Sequence, residues 1–345
     1  MIFLLKKQVK IYIRSKGGLS YGWGHVIRSL SLAQYLIKSN KLAQIFVAIE
    51  GDSAVCDFIK KQNISCSILP VNISVKEEEH ELKELKPDVI VVDMLQIPMS
   101  LLSRYRVNCH KLIIFNDLGV EYKTGDIIIN PQLLPSYPPV RKGQRHLSGT
   151  DYFIISENIL KAKKTMKPGG VKPKAKKLLI VMGGSIKKNV FEKIIKIIEN
   201  LLDLELKIDF VLGYDFDFDL APFASLGKKG VSFVYGTDNI GDLMTKADQA
   251  FASSGYVKYE LAALGVPAIL ISVVDHQEIL GSVFAREGKC ADYIGDIKEI
   301  DAVTLAKKIK DLSRDQEKRE IMSKAGRQLV DGNALERIEK ELILA

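Results

Sequence analysis

Short apolar segments alternate with helical segments along almost the whole chain, and this alternation most restricts the fold. Runs such as Asp88 to Val92 and Lys111 to Phe115 are apolar at every position after the charged first residue, which is typical of parallel strands buried on both faces. Amphipathic segments such as Asn189 to Leu202 separate such runs. The pattern therefore predicts an α/β protein, with strands at 10–13, 44–49, 65–69, 88–92, 111–115 and 126–129, then 177–181, 206–212, 231–235, 249–252 and 267–271.

The alternation is interrupted once, by a segment rich in Lys, Pro and Gly with Lys167-Pro168-Gly169-Gly170 at its centre. That composition is typical of a linker, and a chain of 345 residues suits two domains better than one core. We therefore predict two Rossmann-like domains, over 1–160 and 177–345, joined by a linker over 161–176 and facing each other across a cleft.

The net charge of +8 allows the protein to bind an anionic ligand or to associate loosely with an anionic membrane surface. Aromatic and basic residues do not interleave in the way that single-stranded nucleic acid favours. We therefore expect no nucleic-acid partner, whereas the pattern leaves the oligomeric state open.

The four cysteines form no Cys-x-x-Cys pair and lack companions at zinc-site spacing, so they favour thiols in a reducing cytosol. The apolar stretch at Met1 to Leu5 is too short for a signal peptide, and no apolar run approaches membrane-spanning length. We predict a cytoplasmic protein.

Residues Gly22 to Arg28, which read Gly-Trp-Gly-His-Val-Ile-Arg, bring together the most potential chemistry. They follow the predicted first strand and precede a helical pattern. Glycines let the backbone approach a ligand, a helix N-terminus offers N–H groups to anions, and His25 can transfer a proton near neutral pH. The alternative is an ordinary strand-to-helix turn that happens to carry a histidine.

Polar residues also follow several predicted strands, at Asp93, Asn116-Asp117 and Asn130. Ligands bind at the carboxyl ends of the strands in open α/β sheets. These positions are therefore candidate site residues, although a strand-end aspartate can equally cap the next helix.

Two such domains, with Gly-x-Gly-His near the start and a Gly-Gly turn at Gly183-Gly184, resemble the GT-B nucleotide-sugar enzymes. The segment from Ser253-Ser254-Gly255 to Pro267 resembles the UDP-binding segment of that family, as does Asp275-His276-Gln277.

More narrowly, the chain resembles the family of the UDP-2,4-diacetamido-2,4,6-trideoxy-β-L-altropyranose hydrolase of pseudaminic acid synthesis. That family also includes predicted glycosyltransferases of spore-coat polysaccharide. The matching positions, in chain order, are Gly22 to Leu30, Val92-Asp93, Phe115 to Asp117, Asn130, the strand at Tyr152, and Met182 to Ser185.

The chain departs from the hydrolase pattern at two places. Met94-Leu95 stands where the hydrolase usually has His-Tyr, and Ser156 stands where we expect an arginine. A pocket built for one sugar need not be kept when the acceptor changes, so the resemblance leaves the sugar and the hydrolytic reaction open.

The resemblance assigns UDP to the C-terminal domain. Backbone N–H groups at glycine turns can stabilise a diphosphate leaving group, and a carboxylate early in a helix can bind both ribose hydroxyls. The predicted UDP-binding residues are Gly183, Gly184, Ser185, Ser253, Ser254, Glu260 and Gln277.

The N-terminal domain receives the sugar and either water or an acceptor. His25 is the predicted general base, with Asp93 and Asp117 to orient it or to position the sugar. Arg28 is predicted to pair with a phosphate or to fix a loop carboxylate, and the alternative is an ordinary arginine on the helix surface. The predicted catalytic residues are His25, Asp93 and Asp117, and the predicted substrate-binding residues are Gly22, Gly24, Arg28 and Asn130.

We predict a UDP-sugar hydrolase that cleaves the anomeric C–O bond of an acetamido-deoxy sugar in surface-glycan or nonulosonic acid synthesis. The alternatives are a GT-B glycosyltransferase that uses a glycan or lipid acceptor, and a non-catalytic nucleotide-sugar binding protein. A sugar-nucleotide 2-epimerase shares the two-domain plan, but it would need more carboxylates and histidines around the cleft than we can assign there from the sequence. No cofactor and no metal are expected, because no Asp-x-Asp pair ends an apolar strand.

Overall fold

The computed structural model describes residues 8–18, 21–39, 43–62, 64–166, 170–184, 186–213, 216–237 and 239–343. The chain divides into two compact units. Unit 1 comprises Met1–Gln132, Ser136–Ile154 and Asn333–Ala345, and unit 2 comprises Leu133–Pro135 and Ile155–Gly332.

Unit 1 is an α/β unit built on one sheet. Its elements, in chain order, are β1 (Val9–Lys16), α1 (Gly24–Ser39), β2 (Ala43–Glu50), α2 (Ser53–Lys60), β3 (Cys66–Leu69), α3 (Val75–Leu85), β4 (Val89–Asp93), α4 (Met99–Val107), β5 (Lys111–Phe115), β6 (Ile127–Asn130), β7 (Arg145–Ser148), a short 3-10 helix (Thr150–Tyr152) and the C-terminal helix (Ala334–Ile343).

The seven strands of unit 1 are parallel and lie in the order β3-β2-β1-β4-β5-β6-β7. The order reverses direction between β1 and β4, which are neighbours with Ser15 opposite Asp93. Loops that follow two such strands diverge to opposite faces of the sheet and leave a crevice at its edge. The turn after β1 and the end of β4 therefore lie at the position where open α/β sheets bind ligands.

Both faces of the sheet in unit 1 are covered. Tyr12, Ile90 and Ile114 belong to one apolar cluster with Leu82 of α3 and Leu102 of α4, while α1 packs against β1 and β2. Burial on both faces explains why the central strands are apolar at nearly every position.

The C-terminal helix completes unit 1. The Tyr35 hydroxyl of α1 donates to Glu339 Oε2 at 3.2 Å, and Lys111 Nζ of β5 donates to the Glu341 carbonyl at 3.0 Å. Arg145 Nη1 of β7 donates to Glu341 Oε2 at 2.6 Å. Residues late in the chain thus belong with the first strands.

Unit 2 is a second α/β unit. Its elements, in chain order, are α5 (Glu157–Thr165), β8 (Lys177–Val181), α6 (Lys188–Glu199), β9 (Lys207–Leu212), a 3-10 helix (Ala221–Phe223), α7 (Ala224–Gly227), β10 (Val231–Tyr235), α8 (Ile240–Lys246), β11 (Gln249–Ser253), α9 (Val257–Leu264), β12 (Ala268–Ser272), α10 (His276–Gly288), β13 (Ala291–Asp296), α11 (Ala302–Arg314) and α12 (Gln316–Leu329).

The six strands of unit 2 are also parallel and lie in the order β10-β9-β8-β11-β12-β13. The direction reverses between β8 and β11, so the turn after β8 and the end of β11 flank the corresponding crevice. Phe191 of α6 stacks on Phe210 of β9 with ring centroids 5.8 Å apart, inside a cluster that reaches Ile309 of α11.

The two parallel α/β sheets confirm the predicted fold class. The units group some residues differently from the predicted domain boundaries. Residues 161–165 of the predicted linker belong to α5, which packs against α8 and α9 in unit 2. The predicted C-terminal domain extends to residue 345, whereas the C-terminal helix packs on unit 1. Within the residues that the structure describes, no helix is long and apolar enough to cross a bilayer.

Candidate active site

The glycine turn after β1 has a conformation that favours glycine at two positions. Gly18 and Gly22 have φ angles of +125° and +79°, and each donates its N–H to the carbonyl of the other, at 3.1 and 2.8 Å. A Cβ on Gly18 would lie 2.5 Å from a carboxylate oxygen of Asp52, whereas the space around Gly22 is open. Backbone geometry, rather than packing, thus explains why position 22 is glycine. The other predicted glycine, Gly24, is the first residue of α1.

His25, in the first turn of α1, pairs with Asp93 at the end of β4. The distance from His25 Nδ1 to Asp93 Oδ1 is 2.7 Å, and both side chains are buried. A carboxylate oxygen can only accept a hydrogen bond, so Nδ1 carries the hydrogen in this contact. In the neutral imidazole, Nε2 is then the nitrogen with the lone pair that can accept a proton.

Arg28, one turn further along α1, holds both carboxylates. Its Nε donates to Asp93 Oδ2 at 2.8 Å, and Nη1 and Nη2 donate to the two carboxylate oxygens of Asp117 at 2.9 Å each. Nη2 also contacts Asp93 Oδ1. All of these contacts of Arg28 are with the carboxylates of Asp93 and Asp117, and its predicted contact with a phosphate stays a prediction.

This cluster is almost fully enclosed, with Arg28 only 2% exposed and Asp117 equally so. The guanidinium carbon lies 4.5 Å from the centroid of the Phe115 ring. Burial by itself would raise the pKa of Asp93, but the Arg28 guanidinium and His25 outweigh it and hold the pKa of this carboxyl below its usual range. Asp93 is therefore an anion at neutral pH, as an acceptor for the imidazole must be.

The arrangement can support general-base chemistry. An ionised carboxylate that accepts from Nδ1–H fixes the tautomer and orientation of the imidazole and stabilises the imidazolium that forms after proton transfer. Asp117 Oδ2 lies 3.6 Å from His25 Nδ1, so a second negative charge also stabilises the protonated ring.

His25, Asp93 and Asp117 are also a set of residue types that can ligate a metal ion, with one atom from each lying within 4.8 Å of the others. In this structure, four hydrogen bonds from the Arg28 guanidinium occupy the carboxylate oxygens. A cation bound there would have to displace the Arg28 guanidinium from both carboxylates. The donor set therefore suits a proton-transfer site better than a metal centre, and metal independence stays a prediction.

Asn130 is buried at the end of β6, but its described contacts do not reach His25. Its amide nitrogen lies 3.5 Å from Ser148 Oγ, and its Oδ1 has no hydrogen-bond partner among the described residues. The structure therefore does not connect this predicted substrate-binding residue to the cluster of His25, Arg28, Asp93 and Asp117.

Three of the predicted UDP-binding residues, Gly183, Ser253 and Gln277, lie close together beside the corresponding reversal of strand order. A Cβ placed on Gly183, which has φ +94°, would lie 3.9 Å from Ser253 Oγ. A Cβ placed on Gly255 would lie 3.7 Å from the same oxygen and 3.3 Å from Gln277 Nε2. The turns after β8, β11 and β12 thus converge. Gly184 adjoins this group, and Ser185 lies outside the described residues.

Ser254 and Gln277 fasten two of these turns together. Ser254 Oγ donates to the Gln277 carbonyl at 2.9 Å, and Gln277 Oε1 accepts from the Val273 N–H at 3.2 Å. Because Ser254 is completely buried, its contacts are those of a residue that shapes the turn rather than one that faces a ligand.

Glu260 lies in the first turn of α9, directly after the Ser253-Ser254-Gly255 turn. Burial raises the pKa of Glu260 to about 7, although a hydrogen bond with Ser156 opposes the shift. A carboxylate that is costly to bury can gain from hydrogen-bond donors on a ligand, such as ribose hydroxyls.

Sequence reasoning missed three contributors to these sites. The Ser29 hydroxyl donates to Asp93 Oδ2 at 3.2 Å, and Phe115 covers the guanidinium. Lys258, which reads as a surface lysine on a helix, is buried in α9. Ser29 and Phe115 lie within segments that match the family, and Lys258 lies in the segment that resembles its UDP-binding segment, but nothing in the sequence indicated their contacts.

No protein-family model matches the chain. The chain is 26% identical over 336 residues to the spore coat polysaccharide biosynthesis protein SpsG of Bacillus subtilis, an alignment that covers 94% of this chain and 95% of that protein.

Among solved structures, the chain is similar to MurG of Acinetobacter baumannii, with a TM-score of 0.67, 13% identity, and coverage of 98% of this chain and 100% of that one. It is also similar to the UDP-GlcNAc 2-epimerase of Neisseria meningitidis, solved bound to UDP-GlcNAc, with a TM-score of 0.63, 14% identity, and coverage of 98% and 100%. The chain has the GT-B fold. The sequence-based resemblance to GT-B proteins is thereby confirmed.

Proposed function

We propose that this GT-B protein cleaves the anomeric C–O bond of a UDP-sugar, with water as the acceptor. The observation that carries the proposal is the buried pair of His25 and Asp93, joined at 2.7 Å through Nδ1. A protein that only binds a nucleotide has no need of an oriented imidazole. The similarity to SpsG and the GT-B fold support a nucleotide-sugar substrate.

In this proposal, unit 2 binds UDP. Backbone N–H groups at Gly183, Gly184 and Gly255 stabilise the diphosphate as negative charge develops on it, and Glu260 accepts hydrogen bonds from the ribose hydroxyls. Ser253 lies among these turns and can donate to a phosphate oxygen.

The proposed proton transfer uses unit 1. His25 Nε2 takes a proton from water as the water oxygen bonds to the anomeric carbon, and the electron pair of the broken C–O bond leaves with UDP. Asp93 stabilises the imidazolium, and Arg28 keeps Asp93 ionised and in place. Asp117 completes the charge balance around Arg28.

A glycosyltransferase is the second candidate, favoured by the similarity along 94% of the chain to a spore coat polysaccharide biosynthesis protein. The same base would then take its proton from an acceptor hydroxyl on a glycan or lipid. Under either candidate we propose an acetamido-deoxy sugar as the transferred group, following the resemblance to the hydrolase family.

A panel of UDP-sugars incubated in H₂¹⁸O and followed by NMR and mass spectrometry tests the proposal. The hydrolase releases free sugar and unlabelled UDP without an added acceptor, because water attacks carbon rather than phosphorus. Turnover that requires an acceptor supports the transferase. An epimerised UDP-sugar as the sole product, or binding without turnover, contradicts both candidates.

His25→Asn tests the base directly. We expect turnover to fall by roughly 10²–10⁴-fold, the usual contribution of general-base catalysis, while UDP affinity changes little. His80→Asn is the matched control because the His80 side chain is 80% exposed on α3. Near-normal turnover in a folded His25→Asn protein would remove His25 from the mechanism.

We also propose that no metal is required. Enzyme treated with EDTA should keep its turnover, because Arg28 already supplies the positive charge between the two carboxylates. Loss of activity with EDTA and recovery with Mg²⁺ or Mn²⁺ would contradict this assignment.

A further inference from the structure

We propose that Lys258 is a positioning residue. It holds the peptide group between Ser254 and Gly255 in the orientation that makes the Gly255 N–H available to the diphosphate of the ligand. The inference deepens the proposed function, since it rests on the UDP site proposed in unit 2.

Lys258 is a buried lysine behind the turn. It is 1% exposed, and its Nζ donates to the Ser254 carbonyl at 2.8 Å. The ammonium lies 4.7 Å from the ring centroid of Tyr259 and 5.7 Å from that of Phe284. The aromatic rings and the carbonyl together fix the position of the charge.

The hydrogen bond from Lys258 to the Ser254 carbonyl also determines the direction of the Gly255 N–H. A trans peptide group is planar, with its C=O and N–H pointing in opposite directions, and none of the described peptide bonds is cis. Because the Ser254 carbonyl points inward to Lys258, the Gly255 N–H points away from the interior. Within the described chain, the Gly255 N–H donates no backbone–backbone hydrogen bond, and Gly255 is partly exposed.

The other contacts of Ser254 do not fix this orientation. Its N–H donates to the Ile271 carbonyl at 2.8 Å, and its hydroxyl donates to the Gln277 carbonyl at 2.9 Å. Both bonds precede the peptide group in question, so the Ser254–Gly255 peptide could rotate without them changing. If it rotated, a carbonyl dipole instead of an N–H would face the anion.

A purely structural role explains the position of the charge poorly. Lys258 lies in the first turn of α9, where the positive end of the helix dipole disfavours a cation. The same charge favours an anion at the turn. Gly255 also adjoins Ser253 Oγ, which lies next to Gly183, so the donor faces the group of turns proposed to bind the diphosphate.

Lys258→Met tests the inference, because methionine keeps most of the side-chain volume but removes the charge and the donor. Affinities for uridine, UMP, UDP and inorganic pyrophosphate are measured by calorimetry. We expect UDP and pyrophosphate to bind at least about tenfold more weakly, as for the loss of a hydrogen bond to a charged group. Uridine should bind within about twofold of the wild-type value. Lys196→Met, which removes an exposed charge from α6, is the matched control and should change none of these affinities.

An equal loss for uridine and UDP would show that Lys258 only supports the fold. Wild-type affinity for UDP in Lys258→Met would overturn the inference while leaving the proposed function intact. Failure of the wild-type protein to bind UDP would overturn both.

A second measurement needs no substitution. In ¹⁵N–¹H NMR spectra of the wild-type protein, the Gly255 amide proton should move downfield when UDP or pyrophosphate is added, and not when uridine is added. An unmoved Gly255 resonance at saturating UDP would overturn the inference.

Discussion

The hydrogen bonds from Arg28 to Asp93 and Asp117 give the sharpest prediction about stability. Arg28→Met removes the cation that bridges Asp93 and Asp117. The three side chains together carry one net negative charge in the wild type and two in the variant. Breaking a buried ion pair by removing one partner typically costs roughly 3–5 kcal/mol, because the remaining charges are left in a poorly solvated place. The loss of free energy of unfolding should lie in the upper half of this range, because Arg28 is hydrogen-bonded to both carboxylates.

A second substitution separates charge from packing. Arg28→Met combined with Asp117→Asn returns the cluster to one net negative charge, and should recover about half of the lost free energy of unfolding. Arg141→Met is the matched control. Arg141 forms an exposed pair with Glu121 in unit 1, so its loss should cost less than about 1 kcal/mol.

The assay is urea unfolding followed by tryptophan fluorescence. Trp23 is the single tryptophan of the chain and is buried in unit 1, two residues before His25. Its signal therefore reports the unit that carries the substitution.

The pH dependence has a definite sign. In the wild type the pKa of Asp93 lies below its usual range, so its contribution to stability is present above about pH 4 and is lost as pH falls through the lowered value. Without Arg28, burial raises the pKa of this carboxyl, and protonation relieves the repulsion. The difference in stability between wild type and Arg28→Met should thus be smaller at pH 5 than at pH 8. A difference that is independent of pH, or that Asp117→Asn does not reduce, would refute this explanation.

Three further predictions concern single residues. Asp93→Asn should lower turnover by roughly 10²–10⁴-fold, because an amide favours the wrong tautomer of His25, and UDP affinity should change little. Steady-state kinetics tests this prediction, and unchanged turnover would contradict it. Burial raises the pKa of Glu260 to about 7, so the wild type should lose stability as pH rises from about 4.5 to 7, and Glu260→Gln should remove this loss in pH-dependent thermal unfolding. Gly22→Ala should cost roughly 1–2 kcal/mol because of the φ angle of +79°, whereas Gly227→Ala, at a position with open space and no positive φ, should not; equal melting temperatures for the two variants would contradict the prediction.

The sequence predicted the central strands well because their physical signal is local. The strands Lys111–Phe115 and Lys177–Val181 have the predicted bounds, since apolar runs with polar ends are typical of buried parallel strands. The strand predicted at Tyr152 was wrong, because Thr150–Tyr152 forms a 3-10 helix. The edge strand β7 was missed. It contains a single apolar residue, Leu147, among partly or fully exposed neighbours, so its assignment depends on pairing with β6 rather than on composition.

The helix α5 was missed for a similar reason. Its lysine-rich sequence resembles a linker, and only Ile159 and Ala162 are buried. Its place is determined by contacts with α8 and α9, including the Asn158 side chain, which accepts from the Gly241 N–H at 2.9 Å. Such contacts join residues far apart in the chain and leave no periodic signal.

The candidate catalytic residues were predictable as members of one sheet edge, but their contacts were not. Strand order places Asp93 and Asp117 near the same edge as the turn after β1. Arg28 bridges these two residues across 65 and 89 residues of sequence. This contact depends on side-chain rotamers and on the packing of α1. The orientation of the Gly255 peptide by Lys258 likewise leaves no trace in the sequence, where Lys258 is one of many lysines.

The C-terminal helix has a consequence for biosynthesis. Its contacts with Tyr35, Lys111 and Arg145 belong to unit 1, yet it leaves the ribosome after every strand of unit 2. Unit 1 therefore lacks its last helix during translation of residues 155–332. Unit 2, which is nearly continuous in sequence, can complete its core first. Co-translational folding of this chain should thus reverse the usual order, in which the N-terminal domain folds before the next one is made.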